Sequence, residues 1–164
     1  MKRFVGPLSL LAVIAVAVAY AGTAAGNSTN FTASYSGKVH EVVVGDNVTG
    51  TPSGKGKASL IGKGTMTGTV KGSQSSSTGC TPLTGTGTLK GSKGSLKLKL
   101  TNSPAPSTAC GDQDNHNSIT FSGSAKVTGG TGALKKARGT LHYTGKYDRG
   151  TGAFSVKLTG TLKH

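Results

Sequence analysis
The feature that most restricts this chain is a period-two alternation in which glycine keeps occupying the apolar side. In Ser95-Leu96-Lys97-Leu98-Lys99-Leu100-Thr101 the leucines face one way and the lysines the other. Residues 154–163 keep the same rule for ten positions. Ile119, Phe121, Gly123, Ala125 and Val127 share one side of another run, and Leu141, Tyr143, Gly145 and Tyr147 share one side of the next. Leu60, Gly62, Gly64, Met66, Gly68 and Val70 alternate with Lys63, Thr65, Thr67 and Thr69. Successive side chains of a strand point to opposite faces, so this pattern marks half-buried β-strands.

The alternation predicts strands near 31–38, 39–44, 55–62, 64–71, 83–90, 95–101 and 118–127, then 139–147 with 153–163. The total is eight or nine, depending on whether 55–71 is one bent strand. Gly45-Asp46-Asn47, Gly91-Ser92-Lys93-Gly94 and Asp148-Arg149-Gly150-Thr151-Gly152 supply turn residues between them. Short connections imply antiparallel neighbours and a meander. A single glycine weakens a strand, but glycine repeated on one face permits the tight coiling that a small barrel needs. The expectation is an all-β fold, a small antiparallel β-barrel of about eight strands. Thr-Gly-Thr-(Val or Leu)-Lys recurs at 67–71, 86–90 and 159–163. Its irregular spacing marks a repeated strand solution, not a solenoid.

The first residues have a different character. Lys2 and Arg3 precede an apolar run from Leu8 to Val18, and small residues follow at Ala19, Ala21, Ala24 and Ala25. That order predicts a secretory signal peptide over 1–25, cleaved after Ala21 or Ala25, with one barrel domain over 26–164. The alternative is an uncleaved anchor, since residues 5–25 would just span a bilayer. Beyond Lys2 and Arg3 the chain holds 17 basic and 5 acidic residues. Such a surface attracts polyanions, and Lys97, Lys99, Lys157 and Lys163 are the outward lysines expected to do so. Cys80 and Cys110 are the only cysteines. An exported chain with two cysteines predicts a disulfide, here clamping the open end of the 83–101 hairpin. A metal pair is the weaker alternative.

Val127-Thr128-Gly129-Gly130-Thr131-Gly132-Ala133-Leu134-Lys135-Lys136-Ala137-Arg138-Gly139-Thr140 carries a recognisable pattern. It resembles the Gly-Gly-Thr-Gly-x-Phe-x-x-Ala-x-Gly signature of the allene oxide cyclase-like barrel, shared with plant dirigent proteins and many secreted bacterial proteins. Gly129, Gly130, Thr131, Gly132, Ala137 and Gly139 match, and Leu134 stands where Phe is usual. The resemblance implies a calycin-like, eight-stranded barrel with a central cavity. In the plant proteins that cavity hosts cyclisation or coupling of an apolar intermediate, and dirigent proteins are trimeric, so a homo-oligomer is also implied. Arg138 matches an Arg frequent in dirigent motifs, while no acidic residue here matches their cavity carboxylates. Read physically, Gly129 and Gly130 let the chain leave its strand, and Thr131 hydrogen-bonds nearby backbone. Leu134 and Ala137 suit one helical turn plugging a barrel end, and Gly139 restarts the next strand.

The chemistry on offer is sparse. Acid–base work needs a carboxylate or histidine held in a pocket. His40 and Glu41 are the one such pair in a strand, and alternation sends one of the two inward. Phe121, Tyr143 and Tyr147 are the expected lining of a cavity. Asp112 and Asp114 in Asp112-Gln113-Asp114-Asn115-His116-Asn117 have Asp-x-Asp spacing, but the glycine and closing Glu of a calcium loop are missing. Most aromatics alternate onto the apolar side, which argues against a nucleic-acid stacking platform. No cofactor is expected. The expectations are therefore a non-enzymatic exported barrel holding a small apolar ligand or acting at the surface, a cyclase-like or dirigent-like enzyme, or a protein binding an anionic cell-surface polymer.

Overall fold
A computed structural model describes residues 28–73, 79–112, 115 and 117–164. The predicted signal segment 1–25 lies outside the described residues. The strands are β1 (Ser28–Val44), β2 (Asn47–Ala58), β3 (Gly62–Ser73), β4 (Cys80–Pro82), β5 (Thr84–Gly91), β6 (Gly94–Thr101), β7 (Thr108–Gly111), β8 (Ser118–Gly132), β9 (Arg138–Asp148) and β10 (Ala153–Lys163). Eight of them close a barrel in chain order, β1–β2–β3–β5–β6–β8–β9–β10 and back to β1, with every neighbour antiparallel. The expected meander barrel is what this chain forms. The other two strands pair with each other, and β7 also pairs with β8 beyond the end of β6.

The alternation sorts the two faces as anticipated. Inward go Leu96 and Leu98, Leu141 and Tyr143, and Phe154, Val156 and Leu158, all buried. Outward go the lysines, serines and threonines between them, a hydrophilic exterior. The glycines of the inward face allow close approach of neighbouring backbone. A Cβ on Gly64 would run into the Lys90 carbonyl oxygen across the ladder. A Cβ on Gly145 would meet the Phe121 ring and the Ser155 carbonyl oxygen.

Several strand limits differ from the expectation. Residues 31–38 and 39–44 belong to one strand, β1, because no turn intervenes at Lys38–Val39. Residues 47–54 read as turn composition, yet they form the first part of β2. Pro52 is tolerated there because the ladder to β3 lapses at Thr51 and Pro52, where proline has no N–H to donate. The expected strand 55–62 ends at Ala58, and a turn separates it from β3. β4 and β7 are too short for alternation to reveal them.

The glycine-rich motif also behaves differently from its expected start. The chain does not leave β8 at Gly129. The strand runs on to Gly132, with a bulge between Val127 and Gly129 opposite Lys97/Leu98. Thr131 turns its hydroxyl to Ser95 Oγ, 2.9 Å away, and not to backbone. The turn then forms as expected: Leu134 N donates to Thr131 O, Lys135 N to Gly132 O and Ala137 N to Leu134 O, at 3.2, 3.2 and 2.9 Å. It drives Leu134 and Ala137 into the core, 1% and 2% exposed.

Cys80 and Cys110 form a disulfide, directly opposite each other in the β4–β7 ladder. Such a bond fits an oxidising, extracytoplasmic environment. It joins the two long connections, β3 to β5 and β6 to β8, at one end of the barrel. Thr81 Oγ1 donates to Ser73 O, and Leu83 N to Ser107 O at 2.8 Å, fixing this clamp to the wall. Ser107 is fully buried at the seam, and its hydroxyl reaches Thr101 O at 2.9 Å and Ser124 O at 3.2 Å.

Candidate functional site
One end of the barrel is sealed by Phe31, Ile61, Leu96, Leu134, Leu141 and Leu162, none more than 1% exposed. Beyond the seal lies a cavity of about 450 Å³ that opens toward the disulfide end. Each strand carries its lining one pleat further along. Leu98 follows Leu96, and Tyr143 follows Leu141. Leu89, Met66, Ala125 and Leu158 complete the apolar wall, with Leu83 and Ala109 contributed by the clamp. Gly87 helps to make the space itself: nothing stands closer than 3.5 Å to where its Cβ would be. The result is an open apolar cup.

All three expected lining aromatics are there. Phe121, Tyr143 and Tyr147 face the cavity, and the Phe121 and Tyr143 rings pack at 6.3 Å with a 44° tilt. The Tyr143 oxygen is buried in the wall with no hydrogen-bond partner of good geometry. Burial pushes its pKa up, and the nearby Ser107 hydroxyl pulls weakly the other way. Burial wins, because the Ser107 proton is directed at backbone carbonyls. Tyr35 is the second phenol of this kind, buried, unpartnered and likewise raised by burial.

The open question of His40 and Glu41 is decided by the register. Glu41 points inward and lines the cup, whereas His40 is exposed on the outer face. At the mouth Glu41 meets Arg149, with Arg149 Nε 3.9 Å from Glu41 Oε1. Tyr147 sits beside them. Its pKa is raised first by burial, then by the charge and acceptor oxygens of the neighbouring Glu41 carboxylate, with Arg149 opposing and Asp148 adding to the rise. The Glu41–Tyr147–Arg149 group is therefore a polar collar on an apolar cup. It also brings one carboxylate, Glu41, to the cavity lining. Arg149 was missed because it reads as a turn residue; only closure of the barrel brings it to β1.

No family model matches this chain, and neither does any curated protein or solved structure.

The remaining candidates lie elsewhere. Arg138 is exposed at the start of β9, at the sealed end, so it cannot act in the cup. The motif glycines frame the plug at that same end. A Cβ at Gly130 would strike the Leu134 and Ser95 carbonyls, and Gly132 takes a φ of 61°. Asp112 accepts a hydrogen bond from Asn115 N at 3.3 Å, a local turn contact. Asp114 lies outside the described residues, and no group of three metal-ligating side chains occurs among those described.

Proposed function
We propose that this protein is an exported barrel that holds a small, largely apolar molecule in its cup. The observation that carries this is the cavity: blind at one end, open at the other, lined by leucine, methionine and aromatic side chains. Ligand sites are typically apolar clefts of this size class with a few convergent polar groups. Here those groups are Glu41, Tyr147 and Arg149 at the mouth, so the ligand's apolar body goes in first and its polar end stays at the collar. The resemblance of residues 127–140 to allene oxide cyclase-like barrels supports the same picture of a cavity-bearing barrel. Export rests on the basic, apolar and small order of residues 1–25 together with the disulfide. The inward Glu41 beside Tyr147 favours a second reading, in which a proton is exchanged with the bound molecule in a cyclase-like reaction.

Native mass spectrometry of the chain recovered from the medium of its own host tests the first reading. The expected species begins at Gly22 or Gly26, is two hydrogens lighter than the reduced chain, and carries a small organic adduct. A chain still beginning at Met1 and extracted only from membrane would contradict export. A bare chain that takes up no apolar molecule on addition would contradict the ligand role. Chemical conversion of the adduct, lost in Glu41→Gln, would move the assignment to the second reading.

A further inference from the structure
Five lysines share one part of the outer wall. A broad groove runs there across β9, β10, β1, β2 and β3. Its lining includes Lys55, Lys57, Lys63, Lys146 and Lys157, while Ser34, Ser36, Ser155, Thr65 and Thr144 supply the small polar residues between them. Among the described residues, no acidic side chain lines it.

The ladder places these side chains in two outward rows. One row reads Lys146–Ser155–Ser36–Lys55–Thr65 across successive strands. The other reads Thr144–Lys157–Ser34–Lys57–Lys63. With strands about 4.8 Å apart, Lys157 and Lys57 stand about 10 Å apart at the backbone, with a serine between them. Lys57 and Lys63 are directly opposite each other, and like charges in that position repel. An anion seated between them would remove the repulsion. Short hydroxyl side chains lower the floor between the lysines and present hydrogen-bonding groups along it.

We infer that this groove binds a linear acidic polysaccharide, with Lys55, Lys57, Lys63, Lys146 and Lys157 taking its anionic groups and the serine and threonine hydroxyls taking its sugar hydroxyls. The chemistry distinguishes this partner from other polyanions. The aromatic side chain at the groove, Tyr35, is 3% exposed, so bases have no ring on which to stack. A membrane surface calls for exposed apolar side chains beside the basic ones, whereas Val156 and Tyr35 at this groove are buried and the lysines are interleaved with hydroxyls. Lys97 and Lys99, the lysines the alternation singles out most clearly, stand on β6 away from the groove. There Lys99 faces Lys126 across the β6–β8 ladder, a like-charged pair outside the groove.

That pair, taken with Lys97, supplies a control with equal loss of charge. Binding to heparin and to polygalacturonate is measured at about 0.15 M salt for the wild type, for Lys55→Gln/Lys57→Gln/Lys63→Gln and for Lys97→Gln/Lys99→Gln/Lys126→Gln. All six lysines are exposed, and unchanged melting curves confirm that both variants fold. The groove variant is expected to lose on the order of 100-fold in affinity, reasoning from the contribution of individual lysines at an anionic surface. The control variant should lose less than about a tenth as much. Equal losses in both variants would overturn the site, since net charge alone would then explain the binding. Single-stranded DNA of equal charge binding as tightly as either polysaccharide would overturn the choice of partner.

Discussion
Two buried phenols carry the clearest consequences of single side chains. Tyr35 and Tyr143 are both inward on the barrel, and burial raises the pKa of each above the ordinary tyrosine value of 10.0. A group whose folded pKa is raised contributes stability below its unfolded pKa and loses it as pH rises through the folded value. The protein is therefore expected to keep its stability up to about pH 10 and to lose it steeply above, as followed by circular dichroism during alkaline titration. The Tyr35 hydroxyl has no partner, so Tyr35→Phe removes an unsatisfied polar atom and keeps the ring. It should leave stability unchanged or raise it by up to about 1 kcal/mol, and move the alkaline transition upward. Gly145→Ala should act in the opposite direction. The new methyl group would overlap the Phe121 ring and the Ser155 carbonyl, and overpacking of this kind costs about 1–3 kcal/mol. A melting temperature equal to wild type would show that Phe121 has somewhere else to go.

At the scale of the strands, the disulfide holds an element that backbone pairing alone holds weakly. β4 contributes three residues and β7 four, yet together they form the rim through which the cup opens. Replacing Cys80 and Cys110 by serine should lower stability by about 3–4 kcal/mol, given a sequence separation of 30. Hydrogen exchange should speed up first at Thr81, Leu83 and Ala109, while β9 and β10 stay protected. Uniform exchange across the barrel would mean that the clamp is not a separate unit. How much of this was legible depended on strand length. Strands such as β6 and β10 announce themselves, because eight or more residues of strict alternation leave no other reading. β4 and β7 carry too few residues to alternate, and β2 hides behind Thr51, Pro52 and Gly54, residues usual in turns. The same limit applies to the site. Phe121, Tyr143 and Tyr147 could be assigned to a cavity from parity along one strand, whereas the Glu41–Arg149 contact and the lysine groove depend on register between strands distant in sequence.

For the whole molecule, the same alternation yields an apolar interior, a basic exterior and a lumen with one open end. The barrel is asymmetric along its axis. Leu134 and its neighbours seal one end, and at the other β1 runs past its last β10 partner, Lys38 opposite Ala153. The projecting tip exposes Val42, Val43 and Val44 at 47%, 48% and 70%. Apolar residues at an open mouth suit the entry of an apolar molecule. A cavity-filling substitution separates binding inside the cup from nonspecific adhesion to those valines. Gly87 faces the lumen, has room for a Cβ and has no positive φ, so Gly87→Phe should fold while occupying the space a ligand needs. The most direct measurement is a fluorescence titration of wild type and Gly87→Phe with an apolar naphthylamine dye. Saturable binding of one dye per wild-type chain is expected, weakened at least tenfold in Gly87→Phe with its melting curve retained. Equal binding by both proteins, or no saturable binding by the wild type, would contradict the cup as a ligand site.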